Sequence, residues 1–277
     1  MRFAVGSWNM NQQDSSWAYL RTLGSDHGVQ VALLQEAAHP KATNAIESEP
    51  RADEREAWLL PVPPVARRNY CSAVVALDAG LHLEPRRPTP LALAKYGKFA
   101  ISHPGQFAVA DVPVADITLT VVSLYGIWDR MHDSGDLYAE ATLHRAISDL
   151  TTVFQEREVQ NIVVAGDLNV WHDYPRKPWN PRFASVFDRL AAYDLDLIGP
   201  FRREGAAPLE GCPCKSPDCR HVNTYRHHRK PAAVPYQNDF MFATAALRER
   251  LNDCYAVEDE DVWRHSDHRP IVGVFDL

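Results

Sequence analysis

The sequence lacks a long apolar run: none of its hydrophobic stretches approaches the roughly 20 residues that a helix needs to cross a membrane. It also lacks the charged start and apolar stretch of a secretory signal, because the chain turns polar by Asn9. Cysteine is scarce, with five residues, of which three are crowded between positions 212 and 219, and this does not resemble a disulfide framework. We therefore expect a cytoplasmic protein with no membrane partner.

Basic residues are also in short supply, since 29 Lys and Arg stand against 36 Asp and Glu, a formal net charge of −7. This balance argues against a protein that coats nucleic acid through a basic surface. It leaves a nuclease open, because carboxylates around a cation make such an active site acidic. The stretch RHVNTYRHHRK, residues 220–230, is locally basic and contains no acid. Arg226, Arg229 and Lys230 are therefore candidates for binding a polyanionic substrate.

Length and composition favour one large domain over the whole of 1–277. Hydrophobic residues make up 45% of the chain and charged residues 23%, and no Gly/Ser-rich or Pro-rich tract divides it. Residues 38–69 mix charges with prolines and read as an insertion between core elements. Residues 211–222 form a second unusual segment, a Cys-rich loop.

Short stretches rich in Val, Ile and Phe predict strands, and three stretches with helical spacing predict helices. Together they favour an α/β architecture of mixed sheets with helices on the outer faces. The predicted strands are 3–9, 29–35, 70–77, 99–102, 106–114, 117–125, 161–165, 239–243 and 271–275, and the helices lie near 15–23, 136–156 and 182–192.

The stretch NIVVAGDLNVWHD, residues 161–173, ends a buried strand abruptly. Four apolar residues are followed by Gly166, and Asp167 and Asn169 come next, two positions apart. An extended backbone would place these two side chains on the same side. An ordinary turn is an equally good interpretation of this stretch alone, because Gly, Asp and Asn are common turn residues.

Polar side chains also lie at the ends of other predicted strands. Asn9 ends the first strand, Glu36 follows the second, Tyr125 ends the strand at 117–125, and Asp267 and His268 precede the last one. Each has an ordinary structural explanation as a cap, a turn residue or a packing residue. Their repeated position at strand ends indicates that they converge on one rim of the fold.

The stretches SWNMN, LLQEA, SLYG, VVAGDLN, NDFMFAT and HSDHRPI occur in this order between residues 7 and 274. They resemble the motif series of the endonuclease/exonuclease/phosphatase family, the metal-dependent phosphoesterases that include apurinic endonucleases, deoxyribonucleases and inositol-polyphosphate phosphatases. GDLN and SDHRP are the specific motifs. The resemblance implies a four-layered α/β sandwich, two packed mixed β-sheets flanked by helices, with the site at one edge.

The resemblance also implies a metal site. Glu36 would bind Mg²⁺, or Mn²⁺ in its place, with Asn9 and Asp267 beside it, because these cations prefer hard oxygen ligands. The cation would neutralise the phosphate and activate water for hydrolysis. We therefore expect a metal-dependent phosphoric ester hydrolase.

The same family pattern assigns catalytic roles. Asp167 would orient or deprotonate the attacking water, and Asn169 would donate to a phosphate oxygen. His268 would meet the phosphate from the other side, with Asp239 holding it in one tautomer and favouring its charged form. Tyr125 matches the position that touches the phosphate or the leaving group.

The motifs indicate the type of reaction but do not identify the substrate. After the strand at 117–125 the chain reads SLYGIWDRMHDSGD, without the His or Pro-Asn element of the family's nucleases, and Arg130 in this stretch is a candidate phosphate ligand. A phosphodiesterase that cleaves DNA or RNA is the first hypothesis. A phosphomonoesterase for a small phosphorylated substrate and a non-catalytic binding module on the same fold remain open, and no protein partner is indicated.

The Cys-rich loop lies outside these motifs. The stretch CPCKSPDCRH places Cys212, Cys214, Cys219 and His221 within ten residues. Thiols and an imidazole this close together fit a structural Zn²⁺ site, although the spacing is not among the commonest for zinc. A flexible loop with free thiols is the alternative.

Overall fold

The computed structural model describes residues 1–38, 70–128, 138–156, 161–173, 175, 179–227 and 236–277. Apart from Ala38, the insertion expected at 38–69 lies outside these residues, as do Arg130, Arg229 and Lys230, so these assignments stay predictions. None of the helices in the described ranges combines the length and the apolar character that a membrane crossing needs.

In the described part of the chain, five strands form the first sheet, and a parallel pair lies at its centre. Helix α1 (Asp14–His27) connects the two strands of this pair, β1 and β2, and the other neighbours run antiparallel. The order across the sheet is β3 (Tyr70–Ala76), β2 (Val29–Ala38), β1 (Arg2–Asn9), β13 (Ile271–Asp276) and β12 (Leu251–Ala256).

The second sheet repeats this plan with six strands among the described residues. Its central pair, β8 and β9, is parallel, and helix α2 (Ala139–Phe154) lies between them in sequence. The order across the sheet is β4 (Glu84–Arg86), β7 (Phe107–Val114), β8 (Ile117–Leu124), β9 (Ile162–Asp167), β11 (Asp239–Thr244) and β10 (Leu195–Gly199).

Shorter elements complete the described fold. Two short strands in the segment between β4 and β7 form a small parallel pair, and further helices follow β9, β11 and β12. These elements are β5 (Thr89–Pro90), β6 (Ala100–Ile101), α3 (Trp179–Ala191), α4 (Ala245–Arg248) and the 3₁₀ turns Leu91–Leu93 and Glu260–Arg264.

Three apolar clusters define the layers. Phe3 and Leu33 of the first sheet pack with Val121 of the second in the cluster between the sheets. A second cluster covers the outer face of the first sheet with α1, and a third covers the outer face of the second sheet with α2 and α3. The two sheets therefore lie between helical layers, and the predicted four-layered α/β sandwich is confirmed.

The predicted core strands and the three predicted helices are present, whereas β4, β5, β10 and β12 were not predicted. β10 and β12 are edge strands, and both contain residues such as Asp196 and Asn252 that are depleted in strands. Their sequences carry little local strand signal. Pairing with β11 and β13 makes them strands, and this depends on the tertiary structure.

Candidate active site

The polar strand ends meet at one edge of the sandwich. Asn9 ends β1, Tyr125 follows β8, and Asp167 ends β9. β11 runs antiparallel to β9, so its first residue, Asp239, pairs directly with Asp167. β13 runs antiparallel to β1, so His268, three residues before β13 begins, reaches the same edge. The convergence expected from the sequence follows from these pairings.

Glu36 is directed into this edge by an irregularity in β2. The pairing of β2 with β3 shifts register between residues 34 and 37, and Glu36 has a positive φ of 44°. Such a bulge re-aims a side chain that regular alternation would place elsewhere. The Glu36 Oε1 atom accepts hydrogen bonds from the Tyr125 hydroxyl at 2.6 Å and from Asn9 Nδ2 at 3.2 Å.

Asn9 lies between two carboxylates. Its Nδ2 also donates to Asp167 Oδ2 at 2.8 Å, and its Oδ1 accepts from the Asn11 backbone N–H at 2.9 Å. In this orientation Asn9 holds Glu36 and Asp167 at a fixed spacing. The metal-ligand role expected for Asn9 stays a prediction, and it requires the amide group to turn over.

Asp167 and Asn169 are brought together by a turn, so the expectation that an extended backbone places them side by side is wrong. β9 ends at Asp167, and Asn169 has a φ of 50°. The Asn169 backbone N–H donates to Asp167 Oδ1 at 2.9 Å, and its Nδ2 donates to Asp167 Oδ2 at 3.1 Å and to the Gly126 carbonyl at 3.0 Å. The turn residues Asp167 and Asn169 are therefore also in contact with each other, so the turn interpretation and the functional interpretation of this stretch are compatible.

Two glycines allow the chain to pack this tightly. A Cβ atom on Gly166 would lie 1.7 Å from the carbonyl oxygen of Leu124, and one on Gly126 would lie 1.9 Å from that of Leu168. The Gly126 N–H donates to the Asp167 carbonyl at 2.7 Å. Any side chain at either position would push the ends of β8 and β9 apart, together with Tyr125 and Asp167.

His268 lies between two buried aspartates. Its Nδ1 is 2.9 Å from Asp239 Oδ2, and its Nε2 is 3.6 Å from Asp167 Oδ2. All three side chains are buried. Asp239 therefore faces Nδ1 and Asp167 faces Nε2, so the two carboxylates orient the ring, and the role that the resemblance implies for Asp239 stays a prediction.

Burial and neighbouring charges act on these groups in opposite directions. Burial lowers the pKa of His268, but Asp239 and Asp167 outweigh it and raise this pKa well above its usual 6.5. Burial raises the pKa of Asp167 above the usual carboxyl range, and His268 opposes this only in part. Burial, with Glu36 nearby, also raises the pKa of Tyr125, which stays a neutral hydrogen-bond donor.

The sequence reasoning missed several residues that hold this edge in place. Gln12 Nε2 donates to Glu36 Oε2 at 2.9 Å, and nothing in the sequence marks it. Ser266 Oγ accepts from the His268 N–H at 3.0 Å and donates to the Asn9 carbonyl at 2.6 Å. The serine two residues before a histidine in HSDH is a known turn signal that identifies this bond in retrospect.

A cleft of about 280 Å³ reaches Ser266 and Asp267, the two residues that precede His268. Asp267 lines it with Arg226, Trp263 and Arg264, and the Arg226 N–H donates to the Asp267 carbonyl at 2.8 Å. The Arg226 guanidinium lies 5.8 Å from the centroid of the Trp263 ring. Of the four basic candidates from the sequence, Arg226 is the one within the described residues, and Trp263 and Arg264 were not predicted.

The donor set fits a divalent cation. Glu36, Asp167 and Asp239 supply three carboxylates against one imidazolium, so the fully ionised group carries excess negative charge. Asp239 Oδ1 is buried and has no hydrogen-bond partner among the described residues. Asp167 and Asp239 place carboxylate oxygens within 4.8 Å of each other, whereas a protonated His268 has no lone pair to offer a metal. Hard oxygen ligands of this kind are typical of Mg²⁺ and Mn²⁺ sites.

No family model matches the sequence, and no curated protein matches it significantly. The structure, by contrast, is similar to solved structures of hydrolases. An AP endonuclease from Archaeoglobus fulgidus aligns with a TM-score of 0.62 and 17% identity over 99% of this chain and 100% of that chain. A 3'-5' exonuclease from Neisseria meningitidis aligns with a TM-score of 0.60 and 16% identity over 99% and 100%.

A 3' phosphatase from Neisseria, solved with a product DNA hairpin, aligns with a TM-score of 0.58 and 15% identity over 99% of this chain and 100% of that chain. These alignments cover nearly all of this chain, so the similarity extends over the whole fold. The chain therefore has the fold of the endonuclease/exonuclease/phosphatase proteins.

Proposed function

We propose that this protein is a Mg²⁺-dependent phosphodiesterase that cleaves nucleic acid. The observation that carries the proposal is the buried row Asp239, His268, Asp167, which lies next to Glu36 and beside a cleft with basic and aromatic side chains. A pure binding module has no need for three buried ionisable groups in contact, because burying them costs stability.

Glu36 and Asp267 would hold the cation, with Asn9 as a third ligand if its amide turns over. Bound there, the cation would neutralise charge on the phosphate and lower the pKa of a coordinated water. Glu36 already accepts hydrogen bonds from Tyr125 and Asn9, which fix the orientation of its carboxylate. Mn²⁺ has the same ligand preference and would serve in place of Mg²⁺.

Asp167 is the proposed base. Burial raises its pKa to about 8, so its deprotonated form is a stronger base than an ordinary carboxylate, and Asn9 and Asn169 hold it in place. The His268 imidazolium would stabilise charge that develops on the phosphate. Asn169 Nδ2 and the neutral Tyr125 hydroxyl already donate to Asp167 and the Gly126 carbonyl and to Glu36, so these two residues orient the carboxylates of the site.

The cleft favours a nucleic acid over a small phosphoester. Arg226 and Arg264 supply positive charge, and Trp263 supplies an aromatic surface, which are the groups that bind the backbone and bases of a single strand. The 3' phosphatase among the similar structures favours a second candidate activity, the removal of a terminal phosphomonoester from DNA.

The test is a hydrolysis screen of the purified chain with single- and double-stranded DNA, RNA, 3'-phosphorylated DNA and a small phosphodiester, each with Mg²⁺ or with a chelator. We expect chelator-sensitive cleavage of a nucleic acid. His268→Ala and Asp167→Asn should each lower kcat by about a hundredfold or more, since each removes a group that transfers a proton or stabilises charge.

His144→Ala and Asp188→Asn are the matched controls, because these residues lie on the outer helices α2 and α3. They should retain activity. Near-normal turnover by folded His268→Ala or Asp167→Asn would reject the assignment. Release of phosphate from 3'-phosphorylated DNA without chain cleavage would select the phosphomonoesterase.

A further inference from the structure

The Cys-rich loop brings its thiols and imidazole together in space. Cys212 Sγ is 3.3 Å from Cys214 Sγ and 3.4 Å from His221 Nδ1, and Cys219 Sγ is 3.5 Å from the same nitrogen. The four ligand atoms all lie within 4.8 Å of one another. We call these residues, Cys212, Cys214, Cys219 and His221, the cysteine cluster.

These distances can be compared with those of a metal site. Tetrahedral zinc, with Zn–S bonds of about 2.3 Å and Zn–N bonds of about 2.0 Å, separates its sulfurs by about 3.8 Å and a sulfur from a nitrogen by about 3.5 Å. The two sulfur–nitrogen distances, 3.4 and 3.5 Å, agree with this geometry. The closer sulfur pair requires a shift of about half an ångström, which is small for partly buried side chains.

His221 is oriented as a ligand would be. Its Nε2 lies 2.9 Å from the His172 carbonyl oxygen, so Nε2 carries the proton and the unprotonated Nδ1 faces the thiols. Metal-bound histidines commonly donate their second ring nitrogen to a carbonyl in this way.

We propose that the cysteine cluster binds one structural Zn²⁺ and thereby anchors a strap, residues 219–227, against the catalytic edge. Binding forms three Zn–S bonds and one Zn–N bond and releases the thiol protons to solvent, with no redox change. Four protein ligands leave no open position for water, so this metal is separate from the catalytic cation.

The strap touches each segment that carries the Asp239–His268 pair. The Asp239 N–H donates to Thr224 Oγ1 at 3.3 Å, and the Arg269 N–H donates to the Thr224 carbonyl at 2.8 Å. The Tyr225 ring lies 4.8 Å from the His268 ring, centroid to centroid. A displacement of the strap would therefore move both partners of the catalytic histidine pair.

The cluster is also tied to the turn after β9. His172, which accepts the hydrogen bond from His221, is five residues beyond Asp167, and the Trp171 ring lies 5.8 Å from the His221 ring. Cys219 connects the cluster to the segment after β10, because its carbonyl accepts a hydrogen bond from Arg202 Nε at 2.6 Å. The zinc would join the turn after β9, the strap and the segment after β10.

The first test measures metal content and needs no activity assay. Protein purified under reducing conditions without added metal should contain about one zinc per chain. Replacement by Co²⁺ should give the intense thiolate-to-cobalt absorption bands of a tetrahedral site. Cys214→Ser should lose the zinc, and Cys71→Ala should retain it, because Cys71 is buried in β3, away from the cluster.

Zinc below about a tenth of an equivalent together with no cobalt bands would overturn the proposal, as would unchanged zinc in Cys214→Ser. These results are independent of catalysis. A protein that holds zinc and hydrolyses no phosphoester would reject the proposed function and leave the zinc site standing.

The second test measures the strap. In Cys214→Ser the His268 imidazole resonances should shift, and kcat should fall about tenfold or more at saturating Mg²⁺, since misplacement of a catalytic group by about 1 Å costs up to a hundredfold. Zinc loss without any change in His268 resonances or kcat would reject the anchoring role.

Discussion

The charge of the His268 imidazole depends on burial and on two neighbouring carboxylates, which act in opposite directions. Burial favours neutral His268, whereas Asp239 at Nδ1 and Asp167 at Nε2 favour the cation and prevail. The folded protein therefore binds this proton more tightly than the unfolded chain does. The stabilisation is fully present below about pH 6.5 and is lost as the pH rises through the raised pKa of the folded state.

Asp239→Asn tests this balance. Removing the charge at Nδ1 should lower the pKa of His268 by about 1 to 3 pH units, because an adjacent opposite charge raises a pKa by that much. NMR titration of the His268 ring measures the shift directly. The alkaline limb of the pH–rate profile should move to lower pH by the same amount, if the imidazolium acts in catalysis.

The His144 resonances supply an internal control, since this histidine lies on α2 and its pKa is lowered by burial. They should titrate as in the unmodified protein. A His268 pKa that stays the same in Asp239→Asn would show that the aspartate only positions the ring.

Among the secondary-structure elements, the site depends on the close approach of the backbone at the ends of β8 and β9. β8 and β9 are parallel neighbours. A Cβ atom added to Gly166 would lie only 1.7 Å from the carbonyl oxygen of Leu124. Backbone atoms cannot move aside as a flexible side chain can. Gly166 is therefore required by the close approach of two chains and, together with Gly126, brings Tyr125 and Asp167 within reach of Glu36.

Gly166→Ala should lower the free energy of unfolding by about 3 kcal/mol, at the upper end of the cost of overpacking a core. Gly24→Ala is the matched control, because a Cβ at this position in α1 would lie at an ordinary 3.7 Å from its nearest neighbours. That variant should gain about 0.5 to 1 kcal/mol from helix propensity. Chemical denaturation measures both, and equal stabilities would contradict the packing argument.

At the scale of the whole molecule, the charge is negative while the cleft is locally basic. The chain carries a formal net charge of −7, yet Arg226 and Arg264 line the cleft beside Asp267. Attraction of a polyanion therefore depends on a few local cations and should be sensitive to salt.

Arg226→Gln should weaken binding of a single-stranded oligonucleotide and reduce the slope of log K against log salt concentration by about 1, because one phosphate contact is lost. Turnover of a small phosphodiester should change little. Arg248→Gln is the control, since Arg248 lies on α4 at the opposite end of β11 and pairs with Asp196. An unchanged salt dependence of binding, or equal losses of activity on the oligonucleotide and the small phosphodiester, would show that Arg226 does not bind the substrate.

The fold class and most residues of the candidate site follow from local features of the sequence. The apolar periods of strands such as β8 and β9 and of helix α2 are local properties, and the motifs around Glu36, Asp167 and His268 mark strand ends that must meet once the sheets form. The grouping of three cysteines and a histidine in the cysteine cluster was also visible in the sequence. These features are readable because each lies within a few consecutive residues.

The remaining features depend on contacts between segments that are distant in the sequence. β10 and β12 are strands because they pair with β11 and β13, and the bulge that directs Glu36 into the site arises from the pairing of β2 with β3. Gln12, Thr224 and Trp263 reach the site or its cleft across long stretches of chain, and the short local sequence around each carries no signal of its partners. Contacts between distant segments are set by the packing of the whole chain, which is why the sequence alone could not predict them.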